Sequence, residues 1–311
     1  MLAYRSGLLK DLPGPFAAPR CYAIQEQPDG SAWIWLEEVQ DELDHPWPIE
    51  RYAQVARHLG RFNGAYLAGH PLPDDAWLTH NWLRNYLRRA APMVDWVLQN
   101  PAHPVVRRAL PGLVLPLTLA FWDAFGRNLF YRDAPKVGDF FDEVSEVAEV
   151  VALDWGHAGI APVGAELAPL IAMAMSLAKF PSSQARELDR ACFEGYLEGL
   201  REAGWEPDVR QVRAGFAFSL PTRYTLGAVI GELLPELLAE ETGARWVENA
   251  GVSEEHAGET EAGIVSYYQS LAIEELELLG LGSILRVLGR TLYYALGLAR
   301  VRRSETSESR G

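Results

Sequence analysis

The spacing of apolar side chains divides the chain into a short strand-forming start and a long helical remainder. Residues 20–39 hold two strand-like runs, RCYAIQEQ and SAWIWLEEV, separated by Pro28-Asp29-Gly30. Asp and Gly suit a tight turn, so the stretch predicts a β-hairpin. From residue 49 the period becomes helical. Ile49, Tyr52, Ala53, Ala56, Leu59, Tyr66 and Leu67 form one apolar stripe, as an amphipathic helix requires. A second such helix is predicted over about 82–99, with Trp82, Tyr86, Leu87, Ala90, Val94 and Val97 inward and Asn100-Pro101 closing it.

Two short apolar runs then interrupt the helical pattern. Residues 113–121 (LVLPLTLAF) read as a buried strand, and Val147 to Leu153 as another. The acidic stretch that includes Asp133, Asp139, Asp142, Glu143, Glu146 and Glu149 is expected to be a solvated hairpin or loop. Beyond residue 163 the chain reads as almost wholly helical. The segment 163–178 is apolar on all sides, as in a helix through a core. Leu188, Cys192, Phe193, Tyr196, Leu197 and Leu200 stripe the next helix. Helices near 207–218, 222–241 and 261–299 follow, and the polar tail RVRRSETSESRG is expected to be disordered. In this layout chemistry belongs at the ends of the two apolar runs.

Composition narrows the partners. Of 311 residues, 49% are hydrophobic and 23% charged, the balance of a folded globular chain. The formal charge of −14 repels phosphate backbones, so nucleic acid is excluded as a partner, while a cationic small molecule is compatible. Cys21 and Cys192 are the only cysteines, which leaves no disulfide scaffold or cysteine metal site. MLAYRSGLLKDLPGP has neither the apolar core nor the cleavage site of a signal peptide, so the cytoplasm is the expected compartment. Arginine dominates the basic residues; the lysines are Lys10, Lys136 and Lys179.

The first run leads directly into Phe121-Trp122-Asp123 and on to Asn128, and the second into Leu153-Asp154-Trp155-Gly156. Asp123 and Asn128 are five positions apart, so one short loop can present both side chains. Phosphoryl transfer needs such groups: a carboxylate to orient a hydroxyl and accept its proton, and oxygen ligands for Mg²⁺.

These residues carry a family resemblance. Asp123 to Asn128 resembles the catalytic loop H-G-D-x-x-x-x-N of the aminoglycoside phosphotransferase and choline kinase group. Leu153-Asp154-Trp155 resembles that group's metal-binding I-D-W, the counterpart of the protein-kinase D-F-G. Gly159 to Ala168 is similar to G-x-x-P-x-x-x-D-L-A at the start of the next helix, and Trp35 to Val39 to the last N-lobe strand and hinge. The resemblance covers about residues 1–240. It implies an α+β, predominantly α fold: a protein-kinase-like C-lobe of the aminoglycoside phosphotransferase type with a remnant of the N-lobe sheet. The implied division is 1–40 for the N-lobe remnant and hinge, 41–260 for the helical catalytic lobe, 261–300 for a helical extension and 301–311 for the tail. It further implies ATP or GTP with Mg²⁺ as cofactors and a small-molecule hydroxyl as acceptor. Asp123 would be the catalytic base and Asn128 and Asp154 the metal ligands. Backbone groups near Glu37 and Val39 would meet adenine, and Glu166 would brace the catalytic loop.

Two departures qualify the resemblance. Phe121 and Trp122 stand where the family has His and Gly. The match begins at about Leu2, inside the first N-lobe helix, so the glycine-rich phosphate loop, the phosphate lysine and its Glu partner have no counterpart in this sequence. Either Met1 is an internal site of a longer enzyme, or the truncation is real and the chain is a catalytically inactive kinase-like binding or scaffold protein. Further expectations concern single residues. His157 is expected to be a solvent-facing loop histidine, and Asn63 to act as a cap or to bond a neighbouring loop, without a catalytic role. Leu279 to Arg303 is expected to pack on the lobe, with a membrane-surface or partner-binding helix as the alternative.

Overall fold

The computed structural model describes residues 1–40, 46–79, 115–133, 147–176 and 180–220, together with Tyr267 and Ser270. In chain order it contains α1 (Leu2–Ser6), β1 (Phe16–Ala17), β2 (Cys21–Glu26), β3 (Ala32–Leu36), α2 (Ile49–Leu67), β4 (Leu117–Ala120), β5 (Leu129–Asp133), β6 (Val147–Ala152), β7 (Gly159–Pro162), α3 (Leu167–Ser176), α4 (Ala185–Glu202) and α5 (Val209–Leu220). The fold is α+β and predominantly helical, as expected. The helices expected over 82–99 and 222–241 and the polar tail lie outside the described residues, as does the 261–299 helix apart from Tyr267 and Ser270, both helical.

The hairpin forms as its sequence requires. Gln27 N–H donates to Ser31 C=O, Gly30 takes φ 83°, and the Asp29 carboxylate accepts from both Ser31 N–H and Ser31 Oγ. Glycine is suited to the left-handed position, and Asp closes the loop on itself. The two apolar runs become β4 and β6. β6 is the centre of a three-stranded sheet, antiparallel to β5 and parallel to the two-residue β1. β4 pairs antiparallel with β7, from Leu117 opposite Pro162 to Ala120 opposite Gly159. The acidic stretch begins in β5 and ends in β6, so its described ends form a hairpin.

One boundary departs from expectation. The helix anticipated from 163 starts at Leu167. Gly164 lies at φ 88°, outside helical space, and Ala165 N–H bonds back to Pro162 C=O, so 163–166 form a turn. Hydrophobicity alone did not separate that buried turn from the buried helix that follows.

The most extensive helix–helix contact among the described elements joins α2 and α4. Glycines make it possible. A Cβ on Gly195 would run into the Ala53 carbonyl oxygen, one on Gly199 into Arg57 C=O, and one on Gly60 into Tyr196 C=O; Gly64 faces Ala203. Each helix places two glycines four residues apart on one face, so the backbones touch where side chains would hold them apart. Val55, Leu59 and Phe62 of α2, with Leu188, Cys192 and Leu200 of α4, are buried around this seam. Cys192 is thus the buried thiol that the stripe indicated.

Replacing glycine by alanine inside a helix ordinarily stabilises it by about 0.5–1 kcal/mol. Gly199→Ala is expected to do the reverse, costing about 1–3 kcal/mol because the helices must separate. Urea melts of the two proteins would show it as a lower midpoint; an unchanged or higher midpoint would refute the contact.

Candidate active site

β4 delivers the chain to Phe121, Trp122 and Asp123, and the path there is strained. Among the described residues only Trp122 and Asp154 combine a side chain with positive φ, at 67° and 61°. Such conformations cost on the order of 1–3 kcal/mol each and persist where surrounding contacts enforce them. The backbone that enters Trp122 is held by Glu166, placed just before α3. Its carboxylate accepts from Phe121 N–H at 2.6 Å and from Trp122 N–H at 2.7 Å. Glu166 is 1% exposed, so both bonds are charge-assisted and shielded from water. Both N–H groups converge on the one carboxylate, which fixes the backbone directly before the reversed φ of Trp122.

The loop that follows closes on Asp123. Phe125 N–H donates to Asp123 C=O and Asn128 N–H to Phe125 C=O, both at 2.8 Å, through the 3-10 turn Gly126–Asn128. Asn128 Nδ2 then donates to Asp123 Oδ2 at 2.9 Å and to Asp123 C=O at 3.3 Å. Both residues are buried, so the pairing fixes the direction of the carboxylate.

Asp154 arrives from the neighbouring strand. Leu129 stands opposite Ala152 in the β5–β6 ladder, and Leu153 N–H donates to Asn128 C=O at 2.8 Å. The backbone of Asp154 therefore begins one residue from a direct bond to Asn128. Its own side chain is exposed and accepts from Gly156 N–H at 3.4 Å, a long bond that leaves the carboxylate available. α1 packs against the turn Trp155–His157. Tyr4, on α1, has its phenol pushed up to about 12, chiefly by burial and then by negative neighbours including Asp154. His157 is exposed, as expected.

Phe121 replaces a hydrogen bond with packing. Its ring meets Trp155 edge-on at 4.9 Å, and Phe16 stands 6.2 Å from Phe121 and 5.9 Å from Trp155. Trp155 is oriented independently by its Nε1 donating to Ala152 C=O at 2.9 Å. The Asp123 loop and the Asp154 turn are thus joined by an aromatic cluster.

Glu37 is tied more tightly than sequence suggested. Glu37 N–H donates to Arg20 C=O, and its carboxylate accepts from Arg20 N–H and from Arg132 at 2.9 Å. Arg132, on β5, also pairs with Glu149 opposite it on β6. Arg132 escaped sequence reasoning; the signal was a strand position directly opposite an acid, readable only once the register is known. The structure thus brings Asp123, Asn128 and the Asp154 turn together and ties Glu37 to the same β5–β6 hairpin.

No protein-family model and no curated protein matches the sequence. Among solved structures the chain is similar to amicoumacin kinase hAmiN in complex with AMP-PNP, Ca²⁺ and Ami, at 14% identity and TM-score 0.47, covering 79% of this chain and 74% of that one. It is similar to a GDP complex of an aminoglycoside 2'-phosphotransferase-IIIa mutant, at 14% identity and TM-score 0.45, over 85% and 80% of the two chains. It is also similar to a choline/ethanolamine kinase family protein from Mesorhizobium loti, at 16% identity and TM-score 0.34, over 79% and 78%. A hairpin leads into a helical body, one short strand ends at Asp123 and a strand pair ends at Asp154. The chemistry rests on this chain's own side chains.

Glu166→Gln turns one of the two acceptors into a donor facing an N–H group. With a buried N–H left unpaired, the expected loss is about 1–3 kcal/mol of stability. Equal denaturation midpoints for Glu166→Gln and the parent would show that the carboxylate does not hold the loop.

Proposed function

We propose that the chain is a phosphotransferase moving the terminal phosphoryl group of ATP or GTP to a hydroxyl of a small molecule. The observation that carries this reading is the hydrogen-bonded pair Asp123–Asn128, joined through Leu153 N–H to the turn bearing Asp154. One loop and one strand end, tied by that backbone bond, thereby offer a directed carboxylate and a second, exposed one.

Asp123 acts as the base. Asn128 Nδ2 holds its Oδ2, so the carboxylate faces the acceptor hydroxyl and takes its proton as that oxygen bonds to phosphorus and the nucleoside diphosphate leaves. A group held at the right distance and angle contributes mainly by positioning, which is why the clamp of Glu166 on Phe121 and Trp122 matters. Asn128 and Asp154 offer oxygen donors only, the ligand type that Mg²⁺ prefers. Among the described residues no group of three or more His, Cys, Asp or Glu side chains could hold a metal ion by itself. Phosphate oxygens and water would supply the remaining ligands. Bound there, magnesium neutralises charge on the transferring phosphate. The carbonyl of Glu37 and the backbone of Val39 are the adenine contacts in this reading. The charge of −14 supports a cationic acceptor such as an aminosugar or a choline-like molecule.

Among the described residues no helix is long and apolar enough to cross a membrane.

One observation favours a second reading, a kinase-like binding or scaffold protein without catalysis. Phe121 is fully buried among aromatic rings and offers the Asp154 turn no hydrogen-bond donor. Calorimetry with Mg²⁺·ATP separates the two. The phosphotransferase reading expects micromolar binding that Asp154→Ala weakens at least about tenfold, a loss of roughly 1.4 kcal/mol. Asp123→Asn should bind nucleotide like the parent yet lose about 10²–10⁴-fold in transfer rate. No binding by the intact chain at millimolar nucleotide would leave the scaffold reading.

A further inference from the structure

The side chains of Asn63, Tyr196 and Glu166 close a ring of hydrogen bonds around the segment that ends at Asp123. Asn63 on α2 donates Nδ2 to Leu119 C=O at 2.7 Å, and its own carbonyl accepts from Thr118 Oγ1 at 2.8 Å. Tyr196 on α4 donates its hydroxyl to Asn63 Oδ1 at 2.7 Å and accepts from Gly164 N–H at 3.2 Å. Two residues past Gly164, Glu166 returns to the backbone of Phe121 and Trp122. Asn63 and Tyr196 are 0% exposed and Thr118 and Glu166 1%, so water can replace none of these bonds.

A single oxygen connects the two arms of the ring. Through Asn63 it reaches the strand that enters the catalytic loop. Through Gly164 it reaches the turn that carries the carboxylate clamp. Only a group that donates and accepts at once can do this, and a hydroxyl does. Burial, and then the nearby Glu166 charge, push the Tyr196 phenol well above its usual range, so it remains protonated and keeps its donor role.

We propose that the Tyr196 hydroxyl is a positioning group for Asp123, setting the distance between the end of β4 and the Glu166 clamp. α4 thereby controls the site without reaching it. Trp122 sits at a reversed φ that a relaxed loop would abandon. Both supports of the backbone that leads into it, strand and clamp, are held to one another through this oxygen. The kinetic consequence rests on the phosphotransferase reading; the structural one does not.

The test compares Tyr196→Phe with Leu188→Ala, a buried α4 substitution outside the ring, in the full chain. Amide hydrogen exchange is measured at 119–123 and 164 relative to α5. Tyr196→Phe is expected to speed exchange at both places about tenfold more than in α5, because two buried polar groups lose their partner. Leu188→Ala is expected to raise all three alike. Asn63→Asp keeps the acceptor for Tyr196 but loses the donor to Leu119, and should loosen 119–123 while sparing residue 164. If phosphate transfer is detected, Tyr196→Phe should lower kcat about tenfold with KM for nucleotide and acceptor within about twofold, since positioning acts on the reacting geometry. Exchange at 119–123 that follows α5 in both Tyr196→Phe and Asn63→Asp would overturn the proposal. Absence of transfer in the parent chain would overturn the phosphotransferase reading alone, because the exchange result stands without it.

Discussion

The structure depends on two backbones being allowed to touch. α2 and α4 meet through Gly60, Gly64, Gly195 and Gly199, and at three of these positions a single added carbon would meet a carbonyl oxygen of the other helix. The contact contributes more than buried area. It sets the separation at which Asn63 on one helix and the Tyr196 hydroxyl on the other are 2.7 Å apart. Hydrogen bonds weaken steeply with distance and angle, so helices held apart by a methyl group would lose the bond. From it the polar network runs to β4 in one direction and to the turn before α3 in the other. A packing constraint with no chemistry of its own therefore precedes the geometry of the loop that carries chemistry.

The same order holds for the strained backbone. Trp122 and Asp154 lie in left-handed space, one just before the proposed base and one at the proposed metal ligand. Each is flanked by long-range bonds: Glu166 collects the N–H groups of Phe121 and Trp122, and the Leu153–Asn128 bond ties the residue before Asp154 to the β5–β6 ladder. Strain of this kind concentrates where a fold must hold a side chain in one direction against its preference. Here the two outliers mark one place from two strands.

Much of this was legible from the residue pattern, and the gaps have physical causes. The hairpin was readable because Asp29 and Gly30 act within four residues of each other. α2 and α4 were readable because nineteen and eighteen residues give several turns of periodicity. Asp123, Asn128 and Asp154 could be named because they follow apolar runs at a spacing that chemistry constrains. The two-residue β1 escaped, since its pairing to Val150 and Val151 is long-range and leaves no period in so short a segment. β7 was absorbed into the helix start after it, because Gly159 to Pro162 is too short to show alternation. The glycines of α2 and α4 were visible as G-x-x-x-G, but their meaning required knowing that the two helices are neighbours. Tyr196 was read as one more core aromatic on a stripe. Its ring is that; its hydroxyl is not, and periodicity carries no information about a hydroxyl.

The aromatic cluster under the site has a consequence for how the protein senses its medium. A histidine at position 121 would change charge near neutrality and pass that change to the residues it supports. Phe121, packed against Trp155 and Phe16, carries no proton to lose. This aromatic part of the support of the Asp123 loop is therefore electrically silent across the physiological range. Its hold on Trp155 comes from shape and dispersion, forces that neither acid nor salt alters directly.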